Sequence, residues 1–283
     1  MRSRRKKIKW GIVLYRTLIA IGLVAVAYPF ASQVYYQHVT QQEVNQFEEE
    51  VSQLDSQDVR SRIELAHAYN STLTPKKLGD PFTKEEKEGI AEYARMLQVQ
   101  EKIGYITIPS IDQKIPIRAG TSEKVLQDGA GHLEGTSLPV GGISTHTVIT
   151  AHRGLPSARL FTDLDKVQIG DVFYITNIKE TLAYRVDQIL TVEPDNFDPV
   201  LVSEGHDYAT LLTCTPYMIN SHRLLVRGER IDMPEEEKES VLKVDYFSKY
   251  YWFIITASIF LVFLVLYFIY RFISHRRRKK GQG

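Results

Sequence analysis

"TLLTCTPYMINSHRLLVRGER", residues Thr210–Arg230, holds the only cysteine of the 283-residue chain, Cys214. Strand side chains alternate, so Thr210, Leu212 and Cys214 share one face of an extended run, and Pro216 must interrupt the ladder soon after. A second alternating run begins at His222, with Arg223, Leu225 and Arg227 on one face. The stretch predicts two strands joined by a short turn, with Cys214 ending the first and Arg223 opening the second beside it.

The same texture extends upstream to Ile103. "IGYITIP", "KIPIRAG", "HTVITAH", "DVFYITN" and "TLAYRVDQILTVEP" join "YATLLTC" and "HRLLVRGER" as seven short β-rich runs, most of them separated by Gly, Pro, Asn or Asp. Short strands at this spacing predict a mainly β domain, a closed or nearly closed barrel. From Ser32 to about Gln100 helical periodicity dominates, in "DSQDVRSRIELAHAYN" and in "TKEEKEGIAEYARMLQ". Thr83 with Glu86 three residues on forms a capping box for the second of these, and "TPKKLGDPF" reads as the loop between them. "GTSLPVGG" is too short and wrongly spaced to cradle a dinucleotide phosphate. "NST" at Asn70 matches the glycosylation pattern, which is a chance match if the protein is bacterial.

Both ends are unlike the middle. Gly11 to Ala31 is apolar except for Arg16, and the 21 residues from Tyr250 to Tyr270 carry no formal charge, enough for a helix to cross a hydrocarbon layer of ~30 Å. Tyr28-Pro-Phe-Ala-Ser makes a poor cleavage site, so the first span is expected to remain as a signal-anchor. Arg2, Arg4, Arg5, Lys6, Lys7 and Lys9 precede it, while Arg271, Arg276, Arg277, Arg278, Lys279 and Lys280 follow the second span. The positive-inside rule puts both tails in the cytoplasm and the segment between the spans outside. The expected order is a basic tail over 1–9, a membrane span over 10–31, a helical extension over 32–100 and a β-barrel over 101–233. A linker over 234–249, a span over 250–270 and a basic tail over 271–283 complete it. Without the spans and tails the chain has 22 basic and 34 acidic residues, a net charge of −12, which argues against nucleic acid as a partner.

A lone cysteine cannot form an internal disulfide, so on the oxidising side of a membrane it is either buried as a small hydrophobe or used. A nucleophilic thiol needs a neighbouring positive group and a proton acceptor, usually histidine. Arg223 meets the first need. For the second, His152 stands where the apolar run "HTVITA" meets "RGLP", but His146 has the same strand parity, and His132, His206 and His222 stay open on pattern alone.

"TLLTC" matches the Thr-Leu-x-Thr-Cys signature of sortases, the cysteine transpeptidases of Gram-positive bacterial surfaces, with Arg223 on the following strand and His152 on an earlier one. A second span after the barrel, the helical extension and Asp80-Pro81-Phe82 resemble the class C, pilus-assembling branch. The resemblance implies a sortase-type closed barrel of about eight strands, with Cys214 as nucleophile, His152 as acid and base, and Arg223 as oxyanion and substrate binder. It implies no cofactor or metal, and as partners pilin subunits bearing LPxTG-like sorting signals and acceptor lysines, beside a lipid bilayer. It also implies a lid over the empty site, with Asp80 pairing Arg223 and Phe82 covering Cys214 and His152. Phe82 stands where the family often has Trp or Tyr and lacks their polar handle. Two other readings are a sortase that attaches proteins to cell-wall peptide and a membrane-tethered scaffold domain with an inert thiol. The Ser/His-x-Gly-Cys signature of L,D-transpeptidases is missing.

Overall fold

Seven alternating runs become strands, and an eighth appears between them. The computed structural model describes residues 10–73, 82, 92–155 and 157–233, all within the first of two compact units, Met1–Glu235. The strands are β1 (Lys102–Ile108), β2 (Gln113–Ala119), β3 (Ala130–His132), β4 (Thr145–Thr150), β5 (Val172–Thr176), β6 (Thr181–Val192), β7 (Asp207–Thr215) and β8 (His222–Ile231). They close in the order β1-β2-β3-β4-β7-β8-β6-β5, antiparallel except for the parallel pairs β2–β3 and β4–β7. Barrel closure leaves no sheet edge among these strands to recruit another chain.

Three helices accompany the barrel: α1 (Trp10–Ser52), α2 (Ser56–Thr72) and α3 (Glu123–Asp128). The sequence-based boundary between residues 31 and 32 falls inside α1, which runs unbroken past Pro29. Among the described residues, which include the expected span over 10–31, no helix is long and apolar enough to cross a membrane. The expected span over 250–270 lies outside the described residues. The helix expected from Thr83 is, over its described part Glu92–Leu97, a 3-10 helix, and Thr83 and Glu86 lie outside the described residues.

Val44 and Phe47 of α1 and Ile63 and Ala66 of α2 join one apolar core with Ile106, Ile149, Leu211 and Val226 from the strands. Helix α1 covers β1 and β2, which explains why those strands are buried on both faces instead of alternating. Two cations beneath it are almost fully buried and are neutralised from the helix. Arg118 makes a two-pronged contact with Glu43 at 2.9 Å, and Lys114 reaches Glu48 at 3.3 Å while lying over the Tyr105 ring. Such pairs leave an uncompensated buried charge if one partner is removed, so they fix where α1 sits. Helix α2 starts on an Asp55 cap that accepts from the Gln57 and Asp58 backbone N–H groups. In its last turn lies Asn70, whose amide donates to the Leu138 carbonyl and accepts from the Leu138 N–H. The glycosylation pattern is therefore occupied by a buried structural amide.

A second apolar cluster lies on the outer side of β4, β7 and β8. Val148, Leu212 and Leu225 contact Leu133 and Val200, the last from the β6–β7 connection. His146 belongs to this side and is held at both ring nitrogens, by the Leu201 carbonyl at 3.0 Å and the Thr210 hydroxyl at 2.7 Å. His132, at the end of β3, donates to the Ser137 carbonyl at 2.8 Å and is fully buried. Arg227 grips Asp187, the extra residue at a bulge in β6, and lies over Tyr208.

Burial lowers the pKa of both His132 and His146 from 6.5 to about 4. The unfolded chain then binds more protons than the folded one between these values, so stability intact above pH 6.5 is lost as the pH falls toward 4. The loss is up to about 3 kcal/mol for each histidine. Urea unfolding is expected to give a lower midpoint at about pH 5 than at about pH 7, and His146→Gln to narrow the gap. Equal midpoints would contradict this account.

Candidate active site

The site forms where β4, β7 and β8 end together. Cys214 pairs directly with Arg223 across the β7–β8 ladder, and both side chains are 6% exposed. The strands leave the ladder immediately afterwards, at a cis Thr215–Pro216 peptide. Arg223 donates from one guanidinium nitrogen to the carbonyls of Asn220 and His222, each at 3.0 Å. Asn220 has a positive φ of 61°, a conformation Asn tolerates better than most residues, and this turn carries its carbonyl back over the arginine.

His152 comes from the other side. Parallel pairing of β4 with β7 runs without a break from Thr145↔Asp207 to Thr150↔Leu212. Continued by two residues, the same register brings His152 level with Cys214, on the face they share by alternation. The junction is braced from both faces: Thr213, on the opposite face, donates its hydroxyl to the Ala151 carbonyl at 2.8 Å, and Thr150, on the face of His152, donates to the Leu212 carbonyl at 3.1 Å. The residue before the cysteine is thus tied to the residue before the histidine.

The His152 ring is 5.6 Å from Phe82, and Phe82 also receives the Arg223 guanidinium over its face at 5.3 Å. Phe82 packs on the outer apolar cluster as well. Of the proposed lid, Asp80 and Pro81 lie outside the described residues. The structure therefore brings together Cys214, Arg223, His152 and Phe82. His146, the alternative of equal parity, pairs with Tyr208 six residues before Cys214. At ~3.3 Å per residue this is about 20 Å from the thiol. His132 is sealed in its own loop, and His206 and His222 pair with Glu229 and Glu193.

Two charged residues that sequence pattern did not pick out stand close to His152. Glu123, at the first turn of α3, places Oε1 3.6 Å from His152 Nε2, an electrostatic contact longer than a hydrogen bond. Arg153 follows His152 in the chain, and its side chain is only 7% exposed. Gly154 comes next with φ +93°, and a Cβ there would come within 3.0 Å of the Tyr217 ring. A glycine is needed for the β7–β8 turn to pack against the histidine loop.

A thiol beside a guanidinium and level with an imidazole suits nucleophilic acyl transfer. Among the described residues no cluster of His, Cys, Asp and Glu could hold a metal ion. Burial pushes the His152 imidazole below the ordinary histidine range, while the Glu123 carboxylate pulls it upward. A titration of His152 followed by NMR is expected to fall below that of a free histidine, and Glu123→Gln to move it lower still. An upward move in the variant would refute the role of Glu123.

A sortase domain family model matches residues 106–231. In a crystal structure of Streptococcus pneumoniae sortase C, 60% of residues are identical over 68% of this chain and 97% of that one, with a TM-score of 0.64. A pilus-related sortase C of Group B Streptococcus has the same identity, coverage and TM-score. A curated relative, sortase A of Bacillus anthracis, is 28% identical over 150 residues, 53% of this chain and 70% of its own length.

Proposed function

Because this chain belongs to the sortase family of cysteine transpeptidases, in its class C branch, we propose that it polymerises pilin subunits through a thioester on Cys214. The observation that carries this reading is the level arrangement of three groups: Cys214 paired with Arg223, and His152 in line with Cys214 on the other side. The Cys214 thiol passes its proton to His152 as its sulfur attacks the carbonyl carbon of the Thr–Gly bond in an LPxTG-like signal. Negative charge moves to the carbonyl oxygen, where the Arg223 guanidinium stabilises it. The Asn220 and His222 carbonyls hold one of its nitrogens in place and so orient the planar fork for this purpose.

Collapse of the tetrahedral intermediate breaks the C–N bond, and His152 protonates the departing glycine amine. The pilin is left as a thioester. A lysine amine of a second pilin then attacks the same carbon, His152 takes its proton, and the thiolate leaves as an isopeptide bond forms. Burial of His152 holds it near neutrality when no substrate charge is present, so it can accept that proton.

Phe82 against His152 and Arg223 supports a lid function for Asp80-Pro81-Phe82, since an incoming peptide needs the faces this ring covers. For localisation, the apolar spans 10–31 and 250–270 with their basic flanks support a barrel outside the membrane and both tails in the cytoplasm. Leu14, Leu18, Ile21, Val24 and Tyr28 on α1 are exposed, in keeping with a lipid environment for that end.

The test is the full-length protein in detergent, incubated with an LPxTG peptide and followed by intact mass. An acyl adduct on Cys214 is expected, forming faster in Phe82→Ala and Asp80→Ala and not at all in Cys214→Ala. Absence of the adduct in every form would overturn the reading. Arg223→Ala is expected to slow the adduct by about 100-fold or more, and Arg223→Lys not to restore it, because a point charge lacks the planar fork. With acylated enzyme in hand, a lysine-bearing pilin should outcompete a cell-wall peptide amine as acceptor. The reverse preference would assign the chain to wall attachment.

A further inference from the structure

Arg153 is a nearly buried cation that the acyl-transfer scheme does not use. Its three guanidinium nitrogens meet three different residues in two parts of the chain. Nε donates to the Thr162 carbonyl at 3.1 Å, one terminal nitrogen donates to the Thr215 hydroxyl at 2.9 Å, and the other meets Asp165 at 2.7 Å. Thr162 and Asp165 lie in the return of the loop that starts at His152, and Thr215 is the residue after Cys214. Within that loop, Phe161 and Leu164 are buried in the barrel core, and the Phe161 N–H donates to the His152 carbonyl at 3.2 Å. The loop therefore has a rigid far end, and Arg153 connects this end to the tip of β7.

This connection meets a specific need. The β4–β7 ladder ends at Thr150↔Leu212, with a last long bond from the Ala151 N–H to the Leu212 carbonyl at 3.3 Å. His152 lies beyond it, where no ladder bond holds the register. We propose that Arg153 is the positioning residue of the site: it carries the β4–β7 alignment past the end of the ladder by tying the histidine loop to Thr215, and so holds the His152 imidazole level with Cys214. This inference rests on the acyl-transfer reading of Cys214 and His152. A planar guanidinium suits the task because it serves three acceptors in fixed directions, which an ammonium on a flexible stem does not.

Displacing a catalytic group by about 1 Å costs on the order of 100-fold in rate. In full-length protein carrying Phe82→Ala, Arg153→Ala is expected to lower the single-turnover rate of acyl-adduct formation by about 100-fold, with less than about a threefold change in peptide KM. The His152 titration should at the same time move up toward 6.5, because a displaced ring regains water. Thr215→Val removes only the contact to β7 and leaves the loop's own contacts in place. It should cost about 10-fold in rate at an unchanged melting temperature. Arg153→Lys should recover little of the loss.

The inference is overturned if Thr215→Val and Arg153→Ala both acylate at the parental rate. It is also overturned if Arg153→Ala lowers only thermal stability while the His152 titration stays in place. Failure of the parent protein to acylate at all would sink the acyl-transfer reading instead. The His152 titration in Arg153→Ala and Thr215→Val would then still decide whether Arg153 positions that ring.

Discussion

The parallel pairing of β4 with β7 is the constraint on which the site depends. Parallel neighbours need a long connection, and here β5 and β6 occupy it before the chain returns as β7. Once the two strands are in register, alternation leaves no freedom about which side chains share a face. A slip of one residue would turn Cys214 into the barrel and Thr213 out of it, exchanging a thiol for a hydroxyl at the reacting position. The Thr213–Ala151 and Thr150–Leu212 bonds, one from each face, oppose such a slip.

The barrel has two apolar surfaces in use. Its interior is filled by residues such as Ile106, Ile149, Leu211 and Val226, and the helical extension adds to that core from outside. The outer surface of β4, β7 and β8 carries the smaller cluster, buried by Val200 and Phe197 of the β6–β7 connection together with Leu133 and Phe82. Polar groups on this outer surface are grouped by task. His146 and Arg227, near the far end of the strands, are engaged with Thr210, Leu201 and Asp187 and serve the structure. His152, Arg223 and Cys214, at the near end, stand where the ladder stops and a ligand can approach.

Burial sets the electrostatics of that near end. The same desolvation that holds His132 and His146 neutral acts more weakly on His152, which is partly exposed and faces Glu123. The result is an imidazole that resists protonation without losing its ability to carry a proton. Arg223 is oriented by the Asn220 and His222 carbonyls and lies over the Phe82 ring. Arg153, by contrast, spends its charge on Asp165 and its geometry on Thr215 and Thr162.

Most of the barrel was legible in the sequence, because alternation and turn residues act within a few positions of one another. Seven strands stand where their runs predict, and Cys214 and Arg223 pair across the turn that Pro216 announces. The eighth strand, β3, spans three residues in a glycine-rich stretch that looks like loop, and it exists only because β2 and β4 flank it. The choice of His152 over His146 was closed to spacing, since both have the same parity, and came from family resemblance. The structure separates them by distance along β7 and by the two bonds that occupy His146. Glu123 and Arg153 carried no signal at all, since nothing in their neighbourhoods shows which distant carboxylate, hydroxyl or imidazole they meet. Local order is written in neighbours along the chain, so the sequence alone determined the strands, their faces and the thiol with its arginine. Registers between strands far apart in sequence are decided by packing, so the position of His152, the ring of Phe82 upon it and the tie made by Arg153 belong to the tertiary structure.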